Sequence, residues 1–223
     1  MKKTKRKEVA QMKIDVKGAI VDNSDGWIYD WFGEDYTSPA KVAAAIEEAK
    51  GEDLDIEINS GGGSVFAGSE IYSALRAYKG NVNIHVVGLA ASAASVIACA
   101  GHSDIAPTAQ IMVHNVSTYA AGNYHDMDQA SSMLQQANRA IAAAYVAKSG
   151  MSEQDALELM DAETWLTAQD AVEYGLIDEI AGAKNSNAGE PVRMAASVSG
   201  MLPPSVIDKM QKHRQALLDY FAE

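Results

Sequence analysis

Apolar and polar residues alternate strictly over Asp53–Ile58 (DLDIEI), placing Leu54, Ile56 and Ile58 on one face, the period of a half-buried strand. A looser alternation over 12–21 (MKIDVKGAIV), the run 82–88 and the short segment 111–114 predict three more strands. Between them the period lengthens. Ser38-Pro39 suits an N-cap and first helical position, and Val42, Ala45, Ile46 and Ala49 follow at helical spacing until Gly51. Further helices are predicted from about Val65 to Tyr78, over the small-residue run 91–100, and from about Tyr124 to Ala147. Residues 27–32 (WIYDWF) are aromatic and short, and read as a strand or a packed loop. Ser152-Glu-Gln-Asp155 and Thr167-Ala-Gln-Asp170 resemble capping boxes with Asp at the third position; Gly175 ends the second of the two short helices. Strands alternating with helices in this order predict an α/β fold of repeated βαβ units around a mainly parallel sheet. After Ile180 the pattern lapses. AGAKNSNAGEP (181–191) is linker-like, and one helix is expected near Ser205–Tyr220. The expected organisation is a flexible basic N-terminus (1–12), a folded domain (13–182), and a linker and tail (183–223).

The 223 residues suit one domain with a tail. The net charge of −12 argues against a nucleic-acid partner, which phosphate contacts would reward with clustered Lys and Arg. Five of the 18 basic residues lie within the first seven positions, leaving 13 against 30 acids. The single cysteine, Cys99, excludes an intrachain disulfide and a cysteine-built zinc site, and fits a reducing, cytoplasmic setting. It sits among alanines and reads as a small buried residue. No apolar run approaches the ~18 residues of a membrane span. Glu8, Gln11, Lys13 and Asp15 stand where a signal peptide would be apolar.

Four segments could carry chemistry. Asn59-Ser60-Gly61-Gly62-Gly63 lies between a strand and a helix and reads as a tight turn, whose N–H groups could face an anion or a developing oxyanion. Gly88-Leu-Ala-Ala-Ser92-Ala-Ala-Ser95 ends a strand with a serine at a helix start, which suits either an N-cap or a nucleophile with an adjacent oxyanion donor. His114 alone of the five histidines closes a strand, the placement parallel sheets use for their sites. Either carboxylate of Asp161-Ala-Glu163 could orient a histidine, or be a solvated surface charge.

Taken in order, these segments resemble the Clp protease proteolytic subunit family (ClpP). INSGGGSVFAG (58–68) is similar to its INSPGG loop, GLAASAAS (88–95) to its nucleophile segment, MVH (112–114) to its histidine segment, and ETWLTAQDAVEYGLID (163–178) to the stretch after its catalytic acid. The likeness covers roughly 13–182. GAIVDNSDGWIYDWFGEDYTSP, the Glu of ETWLTA and the extra tail are more similar to the phage and prophage branch, the head-maturation (prohead) proteases. Gly61 replaces a proline, Asn115-Val116 replaces Gln-Pro after the histidine, and Glu163 replaces Asp.

The resemblance implies a ClpP/crotonase-like fold with a projecting handle helix near 124–147. It also implies a serine endopeptidase, ATP-independent or ATPase-assisted, processing phage head proteins. Ser92 would be the nucleophile, His114 the base and Glu163 the acid, with Asp161 as fallback; the Gly62 and Ala93 amides would form the oxyanion hole. No metal or organic cofactor is expected. The expected partners are a peptide substrate, further copies of the chain in a heptameric ring or stacked rings, a capsid, portal or scaffold protein, and a Clp ATPase. Met127, Met133, Leu134, Ile141 and Tyr145 are expected to form the stripe at which copies meet. A non-catalytic prohead scaffold and a crotonase-type acyl-CoA enzyme are the alternative functions; the second needs no serine–histidine pair.

Overall fold

The computed structural model describes residues 11–182 and 204–222. Its elements run β1 (Gln11–Ile20), α1 (Gly26–Phe32), β2 (Tyr36–Thr37), α2 (Pro39–Glu48), β3 (Asp53–Gly63), α3 (Val65–Ala77), β4 (Val82–Ala91), α4 (Ala93–Ala98), β5 (His102–Ile105), β6 (Gln110–Val113), α5 (Tyr124–Ser149), α6 (Glu153–Asp161), β7 (Thr164–Thr167), α7 (Ala168–Glu173), β8 (Glu179–Ile180) and α8 (Pro204–Ala222). The strands form one sheet in the order β2-β1-β3-β4-β5-β8, parallel throughout. β4 changes partner along its length. Asn83–Val86 pair with β5, whereas Leu89–Ala91 pair with β6, which then pairs antiparallel with β7. The α/β class and the βαβ order are therefore as expected from the alternating periods.

The inner face of the sheet carries Ile14, Val16, Leu54, Ile56, Ile58, Ile84 and Val86, packed with Val42, Ile71, Leu75 and Ile97 of the helices. Each fully buried aliphatic side chain contributes about 1.5–3 kcal/mol. The other face is polar. Lys13 Nζ reaches Glu57 at 2.9 Å, Lys17 Nζ reaches Asp15 at 3.0 Å, and His85 Nδ1 meets Asp104 at 2.8 Å. A parallel sheet is usually apolar on both faces. Here charged cross-strand pairs take the place of a second apolar layer, and that is why its strands alternate in sequence.

Several expectations need correction. Residues 27–32 are neither strand nor loop but two turns of helix, burying Ile28 and Tyr29 and ending at Gly33 (φ 68°). The triple glycine is the extended end of β3 rather than a turn. Both expected capping boxes form, with the Ser152 and Thr167 hydroxyls accepting from the Asp155 and Asp170 amides. Asn123 and Asp126 form a third at the start of α5.

α5 is the long helix foreseen, but its apolar residues do not make one stripe. Ile141 and Tyr145 are buried in the chain's own core, while Met133 and Tyr124 are exposed. The helix is anchored by its C-terminal half and projects by its N-terminal half.

In the tail, α8 forms where a helix was expected. Its Ile207 and Met210 pack on a small cluster of Ala19, Val21, Ile28 and Tyr29, and the Gln211 amide donates to Asp25. Most of the expected linker, from residue 183 on, lies outside the described residues.

Candidate active site

Ser92 stands between the last residue of β4 and the first of α4. Its backbone is at φ 55° and ψ −124°, a region that L residues adopt at a cost of about 1–3 kcal/mol. Two constraints hold it there. The Ser92 amide donates to the Met112 carbonyl at 2.9 Å, and Ala91 pairs with Met112 in the β4–β6 ladder. The same ladder carries His114, two residues beyond Met112, to the end of the sheet where Ser92 sits. His114 Nε2 lies 2.8 Å from Ser92 Oγ. At that distance the hydroxyl can donate to an unprotonated Nε2, the geometry in which imidazole removes the serine proton.

Gly62 packs on this elbow. A Cβ at residue 62 would fall 2.5 Å from the Ala91 carbonyl oxygen, 2.7 Å from Ser92 Cβ and 3.0 Å from the Ala93 nitrogen, and its φ is 90°. Only glycine fits. The Gly62 amide, however, donates to Ser60 Oγ at 3.1 Å, and it is Gly63 that lines the cleft beside Ser92. An oxyanion would have to share the Gly62 N–H with Ser60. Ala93 N–H differs: as the first residue of α4 it has no intrahelical acceptor.

The two acids flank the β6–β7 pairing. Val113 opposes Thr164 in the last pair of the ladder, so His114 and Glu163 each lie one residue beyond the same end of it. Glu163 is exposed and has φ 51°. Asp161 Oδ1 accepts from Asn115 Nδ2 at 2.7 Å. Among the described residues, no hydrogen bond or ion pair joins either carboxylate to His114. Ser92, His114 and Ala93 therefore come together, Gly62 lies against them with its amide engaged, and the acids stand at the rim.

The cleft above Ser92 is lined by Gly63, Val65, His114, Val116, Ile141 and Tyr145. Val65, Val116 and Tyr145 were not foreseen in it. Nothing in their local pattern separates a cleft wall from core: Val65 and Tyr145 are apolar positions of α3 and α5, and Val116 lies three residues past β6. A larger hollow lined by Tyr72, Arg76, Cys99, His102, Lys148 and Asp178 shares no residue with the cleft. Burial pushes the Cys99 thiol up to about 12, which makes it a packing residue. Among the described residues no cluster of side chains could hold a metal ion, and no helix is long and apolar enough to cross a membrane.

A serine and a histidine in contact at the C-terminal ends of parallel strands, on an α/β fold, have the arrangement of a serine hydrolase. The family model for Clp protease matches residues 37–184. The chain is 35% identical over 153 residues to an ATP-dependent Clp protease proteolytic subunit of Bacteroides fragilis, covering 66% of this chain and 74% of that one. It is 33% identical over 144 residues to the ATP-dependent Clp protease proteolytic subunit 1 of Streptomyces avermitilis, covering 63% and 66%. The chain belongs to the Clp protease family, a family of serine peptidases.

Proposed function

We propose that this chain is a ClpP-type serine endopeptidase in which Ser92 is the nucleophile, His114 the general base and Glu163 the orienting acid. The observation that carries the reading is the 2.8 Å contact between His114 Nε2 and Ser92 Oγ on a strained strand-to-helix elbow. Ser92 Oγ attacks the scissile carbonyl and its proton passes to Nε2. The tetrahedral oxyanion is met by the Ala93 N–H, with Gly62 as second donor when its amide turns from Ser60. His114 then protonates the leaving amine, and water hydrolyses the acyl-enzyme by the same steps. Glu163 is the acid because it stands one residue beyond the same end of the β6–β7 ladder as His114 and has no competing partner among the described residues, whereas Asp161 is engaged by Asn115. The test is labelling by a fluorophosphonate. Ser92 should be the modified residue, and Ser92→Ala should lose both labelling and peptide cleavage; labelling at Ser95 would overturn the assignment.

The substrate we assign is a phage head protein: capsid, portal or scaffold. Support comes from the likeness of GAIVDNSDGWIYDWFGEDYTSP and ETWLTA to prohead proteases. Co-expression with the major capsid protein of the same phage should yield a shortened capsid chain that Ser92→Ala does not produce. Addition of a Clp ATPase tests whether folded substrates need unfolding first. The chain is read as a ring of copies working in the cytoplasm. Tyr124, Met127 and Met133, exposed on the projecting half of α5, support a contact between copies there. Met133→Glu should lower the mass measured by light scattering. Ile141, buried in the core, is not a probe of that contact.

A further inference from the structure

We infer that Tyr145, acting through Ser95, is a positioning residue that aims the Ala93 N–H at the oxyanion; this rests on Ser92 being the nucleophile. Ser95 Oγ donates its only proton to the Ser92 carbonyl, at 2.6 Å. The contact between Ser95 Oγ and the Tyr145 hydroxyl, 2.8 Å long, must then be donated by Tyr145. The chain of donors runs Tyr145 to Ser95 to the Ser92 carbonyl, and both hydroxyls are buried, Ser95 at 1% and Tyr145 at 2% exposure.

The consequence lies in the peptide unit between Ser92 and Ala93. Its carbonyl belongs to Ser92 and its N–H to Ala93. This bond is trans, so the two point in opposite directions. Whatever fixes the Ser92 carbonyl inward fixes the Ala93 N–H outward, toward the cleft. The strained φ of Ser92 gives this peptide plane a reason to swing, and the Ser95 hydroxyl and the Ser95 amide (3.0 Å) are the two donors that hold it. The Tyr145 hydroxyl polarises the Ser95 hydroxyl and fixes its rotamer. Burial also keeps the Tyr145 phenol protonated, well above its ordinary range, so the donor role holds at any working pH.

A serine back-bonding to a carbonyl three residues earlier is common in helices. What sets this one apart is its position on the nucleophile's own peptide plane and its link to α5. Through Tyr145 and then Ser95, the anchored half of α5 is linked to the peptide unit that supplies the oxyanion donor.

The test compares wild type, Ser95→Ala, Tyr145→Phe and the double variant in the full-length protein. Cleavage of a fluorogenic peptidyl-aminocoumarin gives kcat and KM. The final stoichiometry of fluorophosphonate labelling counts competent sites, so that kcat is expressed per labelled Ser92 and loss of folded protein does not enter. Losing one oxyanion donor outright costs about 10²–10³ in kcat. The Ser95 amide remains in both variants, so each single change should lower kcat and the labelling rate about tenfold, with KM within twofold. The double variant should be no worse than Ser95→Ala alone, because Tyr145 acts through Ser95. Wild-type kcat per site in Tyr145→Phe, or losses that multiply in the double variant, would overturn the inference while leaving Ser92 as nucleophile. A wild-type protein that neither cleaves the peptide nor takes up the probe would overturn the nucleophile assignment, and the inference with it.

Discussion

The two ends of the Ser92–His114–acid line are built differently. At the serine end everything is interior. Ser92 is pinned to β6 through the Met112 carbonyl, Gly62 leaves no room for movement, and His114 is already in contact. At the acid end everything is at the edge. Glu163 follows α6, precedes a four-residue strand, faces solvent and has no partner among the described residues. The nucleophile's geometry is a property of the core, whereas the acid's depends on what covers the rim. A site arranged this way has its attacking group ready and its proton relay adjustable.

The sharpest way to break this contrast is at the acid. Glu163→Gln should lower kcat by up to about 10⁴, the loss that comes with holding the wrong histidine tautomer, while Asp161→Asn should change it little. If Asp161→Asn loses activity and Glu163→Gln keeps it, the roles of the two carboxylates exchange. On the interior side, Gly62→Ala forces a Cβ into the Ala91 carbonyl; cleavage should fall to background and the melting temperature should drop. A smaller effect with the opposite sign is expected from Ser92→Gly. Relief of the strained φ outweighs the ~0.5–1 kcal/mol that glycine adds to unfolded-state entropy. The inactive variant should melt about 2–4 °C higher than Ser92→Ala, as differential scanning calorimetry would register.

The smallest effect lies away from the site. Burial alone would raise the Asp178 carboxyl, but the Lys148 ammonium and the Ser103 amide outweigh it and hold it below the usual carboxylate range. A carboxyl lowered in the folded state contributes stability above its unfolded value near ~3.9 and loses it as the pH falls through the folded value. Lys148→Met should therefore be less stable than wild type at neutral pH. The gap should narrow as the pH falls below about 4 and through the lowered folded value, where Asp178 becomes protonated in wild type as well. A gap that stayed constant down to pH 2 would show that Lys148 acts by packing alone.

How much of this was legible follows from the same physics. β3 could be read because charged pairs occupy one face of the sheet and force alternation; DLDIEI has its burial written in its letters. α2 and the two short capped helices could be read from Ser38, Ser152 and Thr167, whose side chains satisfy amides in the immediate neighbourhood. β2, β7 and β8 are two to four residues long and exist by pairing alone, so no local pattern announces them. α1 was misread because aromatic residues fill all sides of its two turns. For the site, Ser92 and His114 were visible as polar residues at strand ends. The engaged Gly62 amide was not, since it depends on a rotamer of Ser60. Ser95 and Tyr145 gave no signal for this role: one looks like a stray polar residue in an alanine run, and the other was expected in the stripe at which copies meet. Fifty positions separate them, and only the packing of α5 against α4 brings them together.

The backbone at residue 92 also bears on how such a gene would decay. Its φ and ψ suit glycine, and one base change converts the serine codons AGU and AGC into glycine codons. In a lineage released from selection for cleavage, that change would be tolerated by the fold and even favoured, so glycine at this position is the first scar to look for in a descendant that has kept the shape and abandoned the chemistry.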